Sequence, residues 1–323
     1  MAKVEQNIVV LGPSKVGKTA LIAGLKQAAD IFSLHNRNSS YHINLQPSNE
    51  ITRELFTQVL TLLSKGHLPF QGTQDILDYQ LTLTMQSPKD SWLSSLPFLK
   101  SLFNPIQTQN CTVQFPDAPG GALFHGDDDE VDDVVMAKYR NILVKKLQTG
   151  TGLLICIDGS VNTQFAKDQK YKNEVAMTFA KWLPNLFATV SQDVQPARLP
   201  VQRVVFVLTK MDLWAEKHQW KQNSSAHVLN ADPYNHAKEI LGQLFFNSIR
   251  NHFHENTTFA FCMSSTYGFK DGAPNATFLH QTADSVTPDD WIPLNIIEPF
   301  IYLLTGHNIQ KRLQTLSWSE MGS

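Results

Sequence analysis

The chain has 323 residues, 42% of them hydrophobic, with 27 basic against 29 acidic side chains and a formal net charge of −2. This excludes global disorder and the strongly basic footprint of a general nucleic-acid or anionic-membrane binder. No apolar run approaches a membrane span, the first six residues form no apolar signal segment, and the three cysteines include no C-x-x-C pair. We therefore expect reduced, buried thiols and a cytoplasmic protein with no membrane span.

Residues 7–11 (Asn-Ile-Val-Val-Leu) are apolar and β-branched and predict a buried strand. Gly12-Pro13-Ser14-Lys15-Val16-Gly17-Lys18-Thr19-Ala20 follows, and helical character continues to about Ala29. A strand, a Gly-x-x-x-x-Gly-Lys-Thr loop and a helix in succession are the setting of a phosphate-binding loop. Glycines let successive backbone N–H groups converge on an anion at a helix N-terminus. Lys18 adds a point charge for the β- and γ-phosphates, and the Thr19 hydroxyl is a candidate Mg²⁺ ligand.

Residues 30–47 are rich in Ser, Asn and His and predict a loop, and residues 50–64 show helical apolar spacing. Period-two alternation over 79–85 and the run 111–115 predict strands. Residues 92–103 are apolar and aromatic, and an acidic run spans 127–133. A helix over 134–148 precedes the continuous apolar strand 153–158. Then come a helix over 167–190, interrupted or ended near Pro184, and the buried strand 201–208. Residues 214–232 predict a polar loop or irregular helix, 233–252 one helix, 258–263 the last strand, 267–289 a loop and 292–304 a closing helix. Six strands alternating with helices give a mostly parallel α/β sheet covered on both faces in three layers.

Three later stretches carry further chemistry. Strand 111–115 runs into Pro116-Asp117-Ala118-Pro119-Gly120, which puts Asp117 at a strand end, where a carboxylate can hold Mg²⁺ through water. The backbone N–H of Gly120 can approach a γ-phosphate unhindered, although an ordinary Asp-Pro-Gly turn explains the same letters. Strand 201–208 runs into Thr209-Lys210-Met211-Asp212. A carboxylate there can accept from N1 and N2 of guanine, and the Lys210 stem can lie over base or sugar; a helix cap is the simpler alternative. Strand 258–263 runs into Ser264-Ser265-Thr266, whose backbone N–H groups can reach a guanine carbonyl.

Gly12–Thr19, Asp117-Ala118-Pro119-Gly120, Thr209-Lys210-Met211-Asp212 and Ser264-Ser265, in that order at strand ends, resemble the P-loop GTPases of the translation-factor-related class, which includes the small signalling GTPases. The layout looks most like the bacterial double-GTPase-type families. The resemblance covers about residues 5–305 and implies a six-stranded P-loop sheet in one domain, 1–323, with insertions at about 30–77, 87–109 and 214–232. It also implies GTP or GDP and Mg²⁺ as ligands, and a loop threonine that meets the metal only when the γ-phosphate is present. Thr73, after Gly72 and six residues before Tyr79, is the first candidate for that threonine, and Thr52 is the second.

Two departures bear on turnover. Thr209 stands where the family more often has asparagine, which implies weaker nucleotide affinity. Gly121 stands where many members place a water-orienting glutamine, so intrinsic hydrolysis should be slow or use another group, with His125 and the acidic run as the nearby candidates. The implied function is a switch GTPase in which Lys18, Thr73 and Gly120 serve the chemistry. A protein effector or activator would contact the 66–78 and 117–133 loops, a dimer is a further option, and no nucleic acid is expected. The alternatives are a scaffold with a bound, unhydrolysed nucleotide and a P-loop ATPase.

Overall fold

The computed structural model describes residues 6–13, 16–35, 42–64, 77–88, 106–117, 133–161, 166–191, 198–220, 222–270, 272–275 and 291–322. Thr73, Gly120, Gly121, His125, Ser14, Lys15, residues 92–103 and the acidic run up to Asp132 lie outside them.

The first half of the chain runs β1 (Gln6–Leu11), α1 (Lys18–His35), β2 (His42–Pro47), α2 (Glu50–Ser64), β3 (Leu77–Pro88), β4 (Ile106–Asp117), α3 (Asp133–Thr149) and β5 (Gly152–Asp158). It continues with α4 (Ala166–Ser191), β6 (Arg203–Thr209), α5 (Met211–Lys217), α6 (Ser224–Asn230), α7 (Pro233–Leu241), α8 (Gln243–Arg250) and β7 (Thr258–Met263). A two-stranded ribbon, β8 (Phe269–Lys270) with β9 (Ala273–Pro274), then α9 (Glu298–Thr305) and β10 (Gln314–Leu316) close the described chain.

The main sheet has eight strands among the described residues, ordered β10-β7-β6-β5-β1-β4-β3-β2, not the six expected. Its centre, β7-β6-β5-β1-β4, is parallel throughout. The additions are antiparallel strands at the two edges: β2 on β3 and β10 on β7, with β3 itself antiparallel to β4. Both edge strands carry weak sequence signals. In β2 the buried Ile43 and Leu45 alternate with outward His42, Asn44 and Gln46, so the segment reads as polar overall. β10 has only three residues, too few for a period to show.

Alternation in the central strands divides the core into two faces. Ile8 and Val10, Leu154 and Cys156, and Val205 and Val207 pack with α1, α2 and α9. Val9 and Leu11, Leu153 and Ile155, and Phe206 and Leu208 pack with α3, α4, α5, α7 and α8. The helix expected to stop near Pro184 runs through it, because Leu183, Leu186, Phe187 and Val190 continue a buried stripe against the sheet on both sides of the proline. Tertiary burial here outweighs the one backbone hydrogen bond that proline removes. The single helix expected over 233–252 is two, parted at Gly242, which has φ 82°. The closing helix is shorter than expected, Glu298–Thr305. Among the described residues no helix is long and apolar enough to cross a membrane.

Candidate functional site

In a parallel sheet the strand C-termini share one edge, and the loops leaving it converge there. β1 ends at Leu11 and delivers Gly12 and Pro13. Val16 and Gly17 follow, and Lys18, Thr19 and Ala20 form the first turn of α1. Gly17 has φ 94°, a left-handed backbone that a side chain would strain, and its carbonyl accepts from Leu21 N–H at 2.8 Å to start the helix. The Lys18 side chain is buried, and its Nζ donates to the carbonyls of Gly12 at 3.0 Å and Pro13 at 2.8 Å. The loop is thus curled around its own lysine.

β4 is parallel to β1, with Val9 opposite Gln114, so Asp117 ends its strand on the same edge as the loop. Thr52, the second candidate for a mobile metal ligand, has its hydroxyl engaged by the protein. It is buried in the first turn of α2, its Oγ1 donating to Asn49 Oδ1 at 2.6 Å and accepting from Gln80 N–H at 2.8 Å. It fastens a helix to the sheet.

β6 delivers the next stretch. Thr209 is buried and its Oγ1 sits 2.6 Å from the Val16 carbonyl and 3.0 Å from the Ile157 carbonyl. One hydroxyl proton is shared between them, tying the glycine loop to the sheet from within. Lys210 takes a left-handed conformation, φ 59° and ψ 34°, immediately before α5. Its stem passes Gly17, its Cε 4.0 Å from where a Cβ on that glycine would stand, and its Nζ meets Asp158 Oδ2 at 2.6 Å.

Asp212 is 1% exposed. Its Oδ1 accepts from Ser265 Oγ at 2.6 Å, while Oδ2 is buried with no hydrogen-bond partner among the described residues. Burial pushes its carboxyl up to about 6, against the smaller opposing effect of the Ser265 hydrogen bond. β7 supplies Ser265 and fixes it. Gly268 N–H donates to Ser265 Oγ at 2.8 Å, Ser265 N–H donates to the Leu294 carbonyl, and Trp291 Nε1 donates to the Thr266 carbonyl at 2.6 Å. Ser264 points inward: its N–H donates to the Leu208 carbonyl, and its own carbonyl accepts from Met211 N–H. The structure therefore brings Gly12, Pro13, Val16, Gly17, Lys18, Thr19, Ala20, Asp117, Thr209, Lys210, Asp212, Ser264 and Ser265 to one edge of the sheet.

Asp158 and Tyr267 are not among the residues expected from the sequence. Asp158 is there only the last letter of an apolar strand, although a carboxylate at the exit of a central parallel strand is itself a signal. The Tyr267 phenol is pushed above its usual range by burial and by the Asp212 charge.

Two features of this edge suit a guanine nucleotide: a cationic side chain inside a glycine loop at a helix start, and a buried carboxylate oxygen that has no donor among the described residues. No known protein family and no curated protein matches the sequence. Among solved structures, the chain is similar to one in the Chaetomium thermophilum signal recognition particle receptor SRb-GTP/SRX complex, at 12% identity, over 84% of this chain and 96% of that one, with a TM-score of 0.40. It is also similar to the S. cerevisiae Ski7 GTPase-like domain, bound to GDP and inorganic phosphate at 15% identity and bound to GTP at 14%. Both alignments cover 82% of this chain and 43% of the Ski7 chain, with TM-scores of 0.32. The chain thus spans less than half the length of the Ski7 structures.

Proposed function

We propose that this protein binds GTP and GDP at the edge formed by β1, β4, β6 and β7, and acts as a slow GTPase switch of the P-loop class. Its order of motifs lies nearest the bacterial double-GTPase-type families. The observation that carries the reading is Asp212 Oδ2, a buried acceptor with no donor among the described residues. Leaving such a group unmet costs about 1–3 kcal/mol. Guanine offers N1–H and N2–H together, and adenine cannot present that pair, so the arrangement selects guanine. In this reading Lys18 and the amides at the start of α1 hold the β- and γ-phosphates. Thr209 couples that loop to the base-reading stretch, and Ser265 orients Asp212.

Mg²⁺, held by Thr19 and Asp117 and by Thr73 in the GTP state, would neutralise charge between the β- and γ-phosphates. Gly120 would donate its N–H to the γ-phosphate, and the 66–78 and 117–133 loops would then offer an effector or activator in the cytoplasm a surface that differs between GTP and GDP. Fluorescent GDP and GTP should bind in the presence of Mg²⁺ and resist ATP at large excess, and Lys18→Ala should weaken binding at least hundredfold. Equal competition by ATP would refute the guanine reading.

Gly121 favours a second reading, a scaffold whose nucleotide is never turned over, because glycine cannot orient a water. Multiple-turnover phosphate release separates the two. Slow GTPase activity predicts a rate above that of the Lys18→Ala protein, and an equal rate supports the scaffold.

A further inference from the structure

The turn that leaves β5, Asp158-Gly159-Ser160, has no role in the function above, yet it is joined to Thr209 and Lys210 of the base-reading stretch. Asp158 is 4% exposed and divides its carboxylate between two tasks. Oδ1 accepts from Ser160 N–H at 3.0 Å and Ser160 Oγ at 2.7 Å, closing the turn, while Oδ2 takes the Lys210 ammonium at 2.6 Å. Gly159 N–H donates to the Thr209 carbonyl at 3.0 Å, its carbonyl meets His236 Nε2 at 3.0 Å, and the Ser160 carbonyl accepts from Lys217 Nζ at 2.8 Å. The packing leaves no slack. A Cβ on Gly159 would stand 2.6 Å from Met211 Sδ and 2.8 Å from the Thr209 carbonyl.

Lys210 is the residue this turn controls. It sits in a strained left-handed conformation at the start of α5, with no side-chain cap, and its stem runs along Gly17 of the glycine loop. An extended lysine has many rotamers, and holding one costs side-chain entropy. A buried carboxylate at 2.6 Å supplies that restraint before any ligand arrives, which is how preorganisation raises affinity without adding a contact to the ligand.

We propose that Asp158 is a positioning residue for the base half of the site, holding Lys210 in the place from which its stem covers the bound guanine nucleotide and Asp212 reads it. This rests on the guanine-nucleotide reading above. Asp158 acts through Lys210, so removing it frees the lysine and shortens the life of the complex.

The test is a double-mutant cycle on the dissociation rate of fluorescent GDP, with thermal unfolding of the nucleotide-free proteins run beside it. Asp158→Asn preserves an oxygen for the Ser160 N–H and turns an amide toward the ammonium. Asp158→Ser, which keeps a short acceptor for the turn, covers the case in which the asparagine variant does not fold. Lys210→Met preserves the stem and removes the charge. Each single variant should release GDP at least tenfold faster than the wild type, and Asp158→Asn/Lys210→Met should release it no faster than the worse single variant. A rate within twofold of wild type for the Asp158 variants, or effects that multiply in the double variant, overturns the proposal while leaving the guanine reading intact. Failure of the wild type to bind guanine nucleotide overturns both.

Discussion

Asp212 is where local chemistry and stability pull in opposite directions. Its carboxyl is pushed up to about 6 by burial, whereas an aspartate in the unfolded chain titrates near 3.9. The folded state therefore binds the proton more tightly. This contribution to stability is complete below about pH 4 and is lost as the pH rises through 6. Asp212→Asn does not titrate, so its melting temperature relative to the wild type should be highest above pH 7 and should fall steadily between pH 6 and 4. A pH-independent difference would mean that the carboxyl is not held as described. Ligand binding runs the other way, because only the ionised carboxylate accepts from both guanine donors, so GDP affinity should weaken as pH drops below 6. The placement of Lys18, Thr209 and Asp212 on one edge of the sheet was legible in the sequence, because each stands at or just after the end of an apolar strand. Asp158 was not, because its partner Lys210 is 52 positions away and pairs with it only once β5 and β6 lie side by side.

The elements that carry the site are held from below by aromatic packing. Phe261 of β7 stacks on Phe206 of β6 with ring centroids 4.9 Å apart, and Tyr234 of α7 and Phe246 of α8 close around them at 4.8 and 5.6 Å. Phe261→Ala should cost about 3–5 kcal/mol, read as a lowered denaturant midpoint, because all these groups are buried and the cavity cannot collapse. A loss under about 1 kcal/mol would contradict the packing. Of the parallel strands, β1, β5, β6 and β7 were readable from their apolar runs, since a strand covered on both faces has little that is polar to confuse it. Long-range pairing decided what was not readable. β2 and β10 gain their place by hydrogen bonding to β3 and β7, and α4 continues through Pro184 because the sheet holds both of its halves.

At the scale of the whole molecule, one sheet with a helix layer on each face brings a glycine loop near residue 12 and a carboxylate at 212 to a common edge. The same enclosure seals the thiols. Cys111, Cys156 and Cys262 are all buried, and burial pushes Cys111 up to about 12 and Cys262 upward as well. A thiol reagent that needs the thiolate should modify none of them within minutes in the native protein and all three in denaturant. One fast-reacting cysteine would mean that the core opens locally. The central claim is that Asp212 reads the base, and base exchange tests it most directly. In competition against fluorescent GDP and XDP, the wild type should prefer the guanine nucleotide at least hundredfold. Asp212→Asn should lose that preference and favour xanthine, whose ring offers an acceptor where guanine offers a donor. A variant that still prefers guanine as the wild type does would contradict the account.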